Sequence, residues 1–136
     1  MSNSNPLYRI LDANLNRTKE GLRVCEDISR YVWDHKALTR ALKNIRHELT
    51  LSTSKINVLE VLSHRCVEGD VGTGNTVSEY KRKDIASVFL ANAQRVKESL
   101  RVLEEITKLL DSTVAKNIKT LRYRFYVIEQ KAFKKS

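Results

Sequence analysis

The chain has 136 residues, of which 41% are hydrophobic, with one proline and four glycines. This length accommodates a single domain and leaves no room for a second, and the scarcity of helix breakers favours helices over strands. The formal net charge of +9 suits an anionic partner, whether a phosphate metabolite, a nucleic acid or a membrane surface, but does not choose among them.

The cysteines and the hydropathy pattern argue against four classes of protein: disulfide-stabilised, zinc-binding, secreted and membrane-spanning. Cys25 and Cys66 lack CxxC spacing, so neither a disulfide framework nor a zinc site is predicted. The amino-terminal sequence MSNSNPLYR has no apolar signal-peptide core, and no apolar stretch reaches the length of a membrane span. We therefore expect a soluble, cytoplasmic protein with no membrane partner.

The first predicted helix begins at Asn5, a suitable N-cap, and places Pro6 where a missing N–H costs nothing. It extends to about Trp33. On a helical wheel its apolar residues surround Asn14; they are Leu7, Ile10, Leu11, Leu22, Cys25, Ile28 and Val32. Asn14 is therefore predicted at the centre of the buried face.

Asp34 is the predicted cap of a second helix, which runs from His35 to about Thr53. The segment Ile56–His64 is predicted to continue it after a break. The next stretch, RCVEGDVGTGNTVS, holds three of the four glycines and is predicted to be a long irregular loop.

A third helix is predicted from about Tyr80 to Leu110, and Asp111 or Ser112 caps a fourth that ends near Phe133. The four helices predict an all-α fold in which two duplicated helical hairpins form a four-helix core with approximate twofold symmetry. The expected divisions of this single domain, 1–136, are a first repeat at about 5–64, the loop at about 65–79 and a second repeat at about 80–134.

An internal repeat is the strongest signal in the chain. Residues 13–30 return as residues 91–108 with ten of eighteen positions identical and no gap. The retained polar pairs are Asn14/Asn92, Arg17/Arg95, Lys19/Lys97, Glu20/Glu98, Arg23/Arg101 and Glu26/Glu104. Because a duplication kept for packing alone should preserve its apolar residues best, these pairs suggest a functional site.

Asn14 and Asn92 each lie at the centre of an apolar arc, where an unpaired amide costs about 1–3 kcal/mol. Arg17 and Arg95 lie at the border of the same arcs, and each needs a carboxylate or an anionic ligand. One interpretation is a ligand site. The alternative is a buried network in which Asn and Arg of the two copies bond each other across the pseudo-dyad and fix the helix register.

The remaining retained charges are predicted to be more exposed. Glu20 and Glu98 can form i,i+3 pairs with the neighbouring arginines. Lys19, Arg23 and Glu26 map to the polar side of the first helix, where a solvated salt-bridge face is the favoured interpretation.

The glycine-containing loop is a second candidate. Its GDVGTG segment offers backbone amides, the Thr73 hydroxyl and the Asp70 carboxylate, which suit a phosphate and Mg²⁺. It is not a Walker A loop, because no Gly-Lys-Ser/Thr follows and no strand precedes it. A plain linker between the repeats is the alternative.

The aromatic run RYRFY, with Tyr123, Phe125 and Tyr126, could stack on a base, but its spacing favours core packing. The three histidines are not at metal-ligand spacing, and surface or cap positions are predicted for them.

The motifs DANLNRTKEGLRVCED, IRHEL, GDVGT, IASVFLAN, ESLRVLEE and LRYRFYVIE occur in this order. Together they resemble the small monofunctional hydroxymethylpyrimidine-phosphate kinases of thiamin biosynthesis, a module also found fused ahead of thiamine-phosphate synthase. The resemblance implies transfer of the γ-phosphoryl group of ATP, with Mg²⁺, to 4-amino-5-hydroxymethyl-2-methylpyrimidine phosphate. It covers essentially the whole chain, whose length predicts the standalone form.

The resemblance also implies site positions, although individual roles do not come with it. We expect catalytic roles for Arg17, Glu20, Arg95 and Glu98, and Mg²⁺ binding by Asp70 and Glu98. Substrate or nucleotide binding is expected from Asn14, Arg23, Arg46, Arg65, Gly72, Thr73, Arg82, Asn92, Arg101 and Arg122. His64 and Cys66 flank Arg65 where the family has a carboxylate after the arginine, which leaves the role of Arg65 open.

Three other functions compete with the kinase. A basic helical RNA-binding module fits the charge and RYRFY, but the repeated glutamates would repel a phosphate backbone, so nucleic acid is not the expected partner. A helical enzyme that grips small dianions with arginines and a non-catalytic interaction bundle are the others. A homodimer is expected only because dimers are common, and a functional link to thiamine-phosphate synthase follows from the resemblance.

Overall fold

The computed structural model describes residues 5–54, 56 and 83–134, and within these ranges the chain forms helices and no strand. The α-helices are α1 (Asn5–Asp27), α2 (Lys36–Thr53), α3 (Ile85–Thr107) and α4 (Ser112–Ala132). Helix α1 packs on α2 and α3, and α4 packs on the same two helices. This arrangement confirms the predicted bundle of two helical hairpins.

The twofold relation extends over both hairpins. Positions in α1 and α3 correspond at a spacing of 78 residues, and positions in α2 and α4 at a spacing of 76. At a spacing of 76 residues, four buried residues of α2 correspond to four buried residues of α4: Leu38, Leu42, Ile45 and Leu49 to Val114, Ile118, Leu121 and Phe125. The two N-caps, His35 and Asp111, correspond at the same spacing.

The change in spacing has a local cause between α1 and α2. The first helical segment reaches Val32, with Trp33 as its C-cap, as predicted, but its last turn, Ile28–Val32, is π-helical. Asp34 then adopts a left-handed conformation, with φ 49°, so it cannot cap α2 as predicted. His35 caps instead, and its Nδ1 accepts a hydrogen bond from the backbone N–H of Leu38 at 3.1 Å.

The second hairpin has acidic caps at both helices. The predicted start of α3 at Tyr80 was wrong, because Asp84 is non-helical and caps α3 by accepting from the Ser87 N–H at 2.8 Å. Asp111 caps α4 through the N–H groups of Thr113 and Val114 at 2.9 and 3.2 Å. The segment predicted to continue α2 lies outside the described residues, apart from the buried Ile56, and so does the glycine loop.

Helices α1 and α3 form the central antiparallel pair, with two equivalent contacts at their crossing. On one side the hydroxyls of Thr18 and Ser99 lie 2.6 Å apart. On the other side Gly21 meets Val96, and a Cβ on this glycine would lie 2.8 Å from Val96 Cγ2 and 3.0 Å from the Asn92 carbonyl oxygen. The helices therefore approach closely, which brings the retained polar residues of both copies together. No helix within the described ranges combines the length and apolar character needed to cross a membrane.

Candidate functional site: a cleft between the two repeats

A cleft of about 400 Å³ lies along the α1–α3 pair. It is lined by Asn14, Arg17, Ala91, Arg95, Glu98, Ser99 and Val102. Four of these were predicted site residues, and they come from both copies of the repeat. Arg17 and Arg95 are the only two lining residues that the 78-residue spacing maps onto each other, so the rest of the lining is asymmetric.

The two asparagines find their partners within their own helices. Asn14 is buried, and its Nδ2 donates to the Ile10 carbonyl at 2.9 Å, while Asn92 Nδ2 donates to the Val88 carbonyl at the same distance. Arg17 Nη1 donates to Asn14 Oδ1 at 3.5 Å. The alternative network of Asn and Arg across the pseudo-dyad is therefore wrong, and Asn14 instead positions Arg17.

Most charged groups of the cleft lack an ion-pair partner within the part of the chain that the structure describes. Among the described residues, Arg95 and Glu98 have no ion-pair partner, and neither does Glu20, the equivalent of Glu98 in the first copy. The pairs expected between these glutamates and the neighbouring arginines do not form. Two guanidinium groups that line one cavity without carboxylate partners are suited to binding an anion.

A different set of retained charges is neutralised internally. Glu26 is 1% exposed and accepts from Arg46 Nε at 3.2 Å, which connects α1 to α2. Its equivalent, Glu104, is also buried and accepts from Arg122 Nε at 2.9 Å, which connects α3 to α4. The predicted solvated face was therefore wrong for Glu26. Arg46 and Arg122, expected to bind substrate, form these ion pairs between the helices of each hairpin and do not line the cleft.

Arg23 and Arg101 lie at the exposed edges of these buried carboxylates. Arg23 is 3.7 Å from Glu26, and Arg101 is 3.9 Å from Glu104 and 3.2 Å from Glu105. Both guanidiniums are more than half exposed, so they remain available to a ligand at the surface.

A second groove, of about 340 Å³, lies between α3 and α4. It is lined by Gln94, Lys97, Glu98, Arg101 and Tyr126. Glu98 thus lines both cavities. Phe125 is fully buried, which confirms core packing for this member of RYRFY, but Tyr123 and Tyr126 are 54% and 41% exposed, so core packing was wrong for them.

The profile of the ThiD2 family matches residues 9–131. The chain belongs to the ThiD2 family. It is 42% identical over 124 residues to a thiamine-phosphate synthase of Rhodopirellula baltica, 43% over 124 residues to one of Nostoc punctiforme, and 40% over 125 residues to one of Thermosynechococcus vestitus. These alignments cover 90–91% of this chain and 33–34% of each relative, so the chain spans about a third of their length. No solved structure matches it.

Family membership confirms the part of the expected resemblance that joins this module to thiamine-phosphate synthase. The kinase activity stays a prediction, because the names of these relatives do not contain it. Five expected site residues of this ThiD2 chain lie outside the described ranges: Arg65, Asp70, Gly72, Thr73 and Arg82.

Mg²⁺, implied alongside ATP, has a partial set of ligands here. Within the described ranges no group of three or more His, Cys, Asp or Glu side chains could hold a metal ion. Mg²⁺ at nucleotide sites is commonly bound by one or two carboxylates together with phosphate oxygens. The carboxylate of Glu98, which has no ion-pair partner among residues 5–54, 56 and 83–134, fits one such position, and Asp70, the other predicted ligand, lies outside these ranges.

Sequence reasoning missed Ser99 as a hydrogen-bonding residue, and it missed Gln94 and Lys97 as groove residues. The signal for the groove was available, because Lys97 is one of the retained pairs and Tyr126 follows it on the next helix.

Proposed function

We propose that this protein catalyses the ATP-dependent phosphorylation of 4-amino-5-hydroxymethyl-2-methylpyrimidine phosphate to the diphosphate, as a cytoplasmic step of thiamin biosynthesis. One observation carries the proposal. Arg17 and Arg95, equivalent residues of the two repeats, line one cleft of about 400 Å³ without a carboxylate partner among the described residues.

The reaction joins two anions and therefore needs positive charge more than a base. An oxygen of the substrate phosphate attacks the γ-phosphorus, the bond from that phosphorus to the bridging β,γ-oxygen breaks, and ADP leaves. A phosphate monoester has a second pKa of about 6, so its attacking oxygen is already deprotonated near neutral pH. Positioning and charge neutralisation then supply most of the catalysis.

The cleft residues divide this work. Arg17, held by Asn14 at 3.5 Å, and Arg95 bind the acceptor phosphate and offset the charge that accumulates as the two phosphates meet. Mg²⁺ bound with the triphosphate would neutralise part of its charge, and Glu98, which has no ion-pair partner among the described residues, would supply one carboxylate to hold it.

The comparisons support the pathway. The chain belongs to the ThiD2 family, and relatives that contain an equivalent region are named thiamine-phosphate synthase, which links this module to the same pathway. The alternative of RNA binding is less well supported, because Glu20 and Glu98, whose carboxylates have no ion-pair partner in the described ranges, would repel a nucleic acid backbone.

Incubation of the protein with ATP, Mg²⁺ and the pyrimidine monophosphate should yield the diphosphate, measured by anion-exchange chromatography. We expect Arg95→Ala to lower kcat/KM about 100-fold or more, as for other groups that stabilise transition-state charge. Arg40→Ala, which removes the same charge from an exposed position on α2, is the matched control and should retain activity. Absence of diphosphate with the unaltered protein, or equal losses in the two variants, contradicts the proposal.

A further inference from the structure

The residues that line the groove between α3 and α4 have counterparts in the first repeat, and one of these pairs differs in chemical type. The lining residues Gln94, Lys97, Glu98 and Arg101 correspond to Asn16, Lys19, Glu20 and Arg23. Each pair retains its chemical type. The fifth lining residue, Tyr126, corresponds to Thr50. An aromatic ring is therefore present in only one of two otherwise equivalent sets.

We propose that the α3–α4 groove binds the nucleoside of ATP, with the base stacked on Tyr126, so that the second repeat is the nucleotide half of the protein. This inference rests on the proposed kinase for the identity of the nucleotide. The volume of about 340 Å³ falls within the range of about 300–1,000 Å³ typical of ligand sites.

Tyr126 is positioned before a ligand arrives. Its ring lies 5.7 Å from Lys97 Nζ and 5.9 Å from the guanidinium carbon of Arg122. Both cations are themselves fixed, Lys97 by Glu129 at 2.8 Å and Arg122 by Glu104 at 2.9 Å. The ring is nevertheless 41% exposed. A fixed, exposed aromatic surface is the feature that base stacking requires.

The neighbours of the ring suit the rest of a nucleotide. The exposed amide of Gln94 carries donors and an acceptor that can pair with the polar edge of a base. Arg101 is 57% exposed and offers charge to the phosphates. Glu98 lines this groove and the arginine cleft alike, so phosphates that extend from the groove toward Glu98 approach the acceptor phosphate held by Arg17 and Arg95.

The test compares Tyr126→Ala with Tyr126→Phe and with Thr50→Ala, the matched change in the first repeat. ATP binding is measured by calorimetry with Mg²⁺ and without the pyrimidine, and both KM values are measured in the kinase assay. Loss of base stacking should weaken ATP binding about 10-fold. Tyr126→Phe should stay within about twofold of the unaltered protein. Thr50→Ala should change nothing, and KM for the pyrimidine phosphate should be unaffected in all three.

The outcomes separate this inference from the proposed function. If Tyr126→Ala weakens ATP binding but the unaltered protein forms no diphosphate, the assignment of the nucleotide groove is supported and the proposed kinase activity is contradicted. If diphosphate forms and Tyr126→Ala leaves ATP binding unchanged, or raises only the KM of the pyrimidine phosphate, the groove assignment is overturned. Absence of ATP binding to the unaltered protein overturns both. If Tyr126→Ala fails to fold, Gln94→Ala, at an exposed position, carries the same expectation for ATP.

Discussion

The two repeats share one buried ion pair in each hairpin and differ in the groups that they contribute to the cavities. Each contains one buried glutamate that accepts from an arginine of the second helix of its hairpin, Glu26 from Arg46 and Glu104 from Arg122. The donor atom is Nε in both, and the distances differ by a few tenths of an ångström. These equivalent ion pairs stabilise equivalent hairpins.

The cavities take different residues from the two repeats. The arginine cleft takes its amide, Asn14, from the first copy and its carboxylate, Glu98, from the second. Tyr126 in the second copy replaces Thr50 in the first. Polar residues retained through the duplication therefore serve one of two roles. The buried glutamate–arginine pairs stabilise the hairpins, whereas retained groups that lack a partner among the described residues are available to a ligand.

The buried ion pairs give the largest expected effect on stability. Glu104→Ala leaves Arg122, 7% exposed, without its carboxylate, and breaking such a buried pair typically costs about 3–5 kcal/mol. Glu26→Ala should cost less, because Arg46 is 21% exposed and water can replace part of the lost interaction. Chemical denaturation of both variants measures the difference.

Glu98→Ala is the control for this comparison, because its carboxylate has no partner among the described residues. It should change the free energy of unfolding by no more than about 0.5 kcal/mol, as for an ordinary surface position, while lowering kinase activity. If Glu98→Ala destabilises the protein as much as Glu104→Ala, the division between structural and ligand-binding carboxylates is wrong.

The crossing of α1 and α3, where Gly21 corresponds to Ser99 of the second repeat, gives a smaller expected effect on stability. Gly21→Ala places a Cβ 3.0 Å from the Asn92 carbonyl oxygen and 2.8 Å from Val96 Cγ2. Overpacking of this kind costs about 1–3 kcal/mol, and the helix propensity of alanine returns about 1 kcal/mol. We expect a net loss of up to about 2 kcal/mol in the free energy of unfolding.

A double-mutant cycle with Val96→Ala separates the side-chain contact from the backbone contact. If Val96 Cγ2 is the main obstacle, the cost of Gly21→Ala should fall when Val96 is shortened. An unchanged cost assigns the strain to the Asn92 carbonyl. A Gly21→Ala variant that is more stable than the unaltered protein contradicts the close approach of α1 and α3.

The sequence predicted the helical hairpins and the main cleft residues because the repeat isolates them. Asn14 and Arg17 lie at or beside the apolar face of α1, and Arg95 lies beside the equivalent face of α3. The two helices pack against each other through these faces. Burial of Glu26 and Glu104 could not be read from the same wheel. A helical wheel identifies one apolar face, whereas α1 and α3 each pack against two other helices. The contact with the second of these helices includes a charged pair, which the wheel does not predict.

Other details depend on neighbouring elements. The π-helical turn at Ile28–Val32 and the left-handed Asp34 arise from how the first hairpin closes, which local propensity does not encode, so the cap moved to His35. Tyr123 and Tyr126 fit an apolar pattern at helical spacing, but α4 has an open flank beside α3. Their exposure follows from that packing rather than from their residue type.

The smallest expected effect concerns a core position where the repeats differ, Cys25 in the first copy and Leu103 in the second. Burial raises the pKa of the Cys25 thiol from 9.0 to about 12, with a further contribution from the negative charge of Glu129. The folded state therefore keeps its proton at a pH where the unfolded chain loses it. The stability contribution is complete below pH 9 and is lost as the pH rises from 9 toward 12.

The comparison uses Cys66→Ser, in which Cys25 is the single thiol, and the double variant Cys66→Ser/Cys25→Ala. Between pH 8 and pH 10 the free energy of unfolding should fall by about 1 kcal/mol more in the single variant than in the double variant. The comparison removes lysine and tyrosine titration, which both variants share. Native Cys25 should also resist a thiol reagent at pH 8 and react once denaturant is added, because the thiolate is the reactive form. Equal pH slopes in the two variants, together with rapid native labelling, would show that this core position is open to water and that the first hairpin is less tightly packed there than the second.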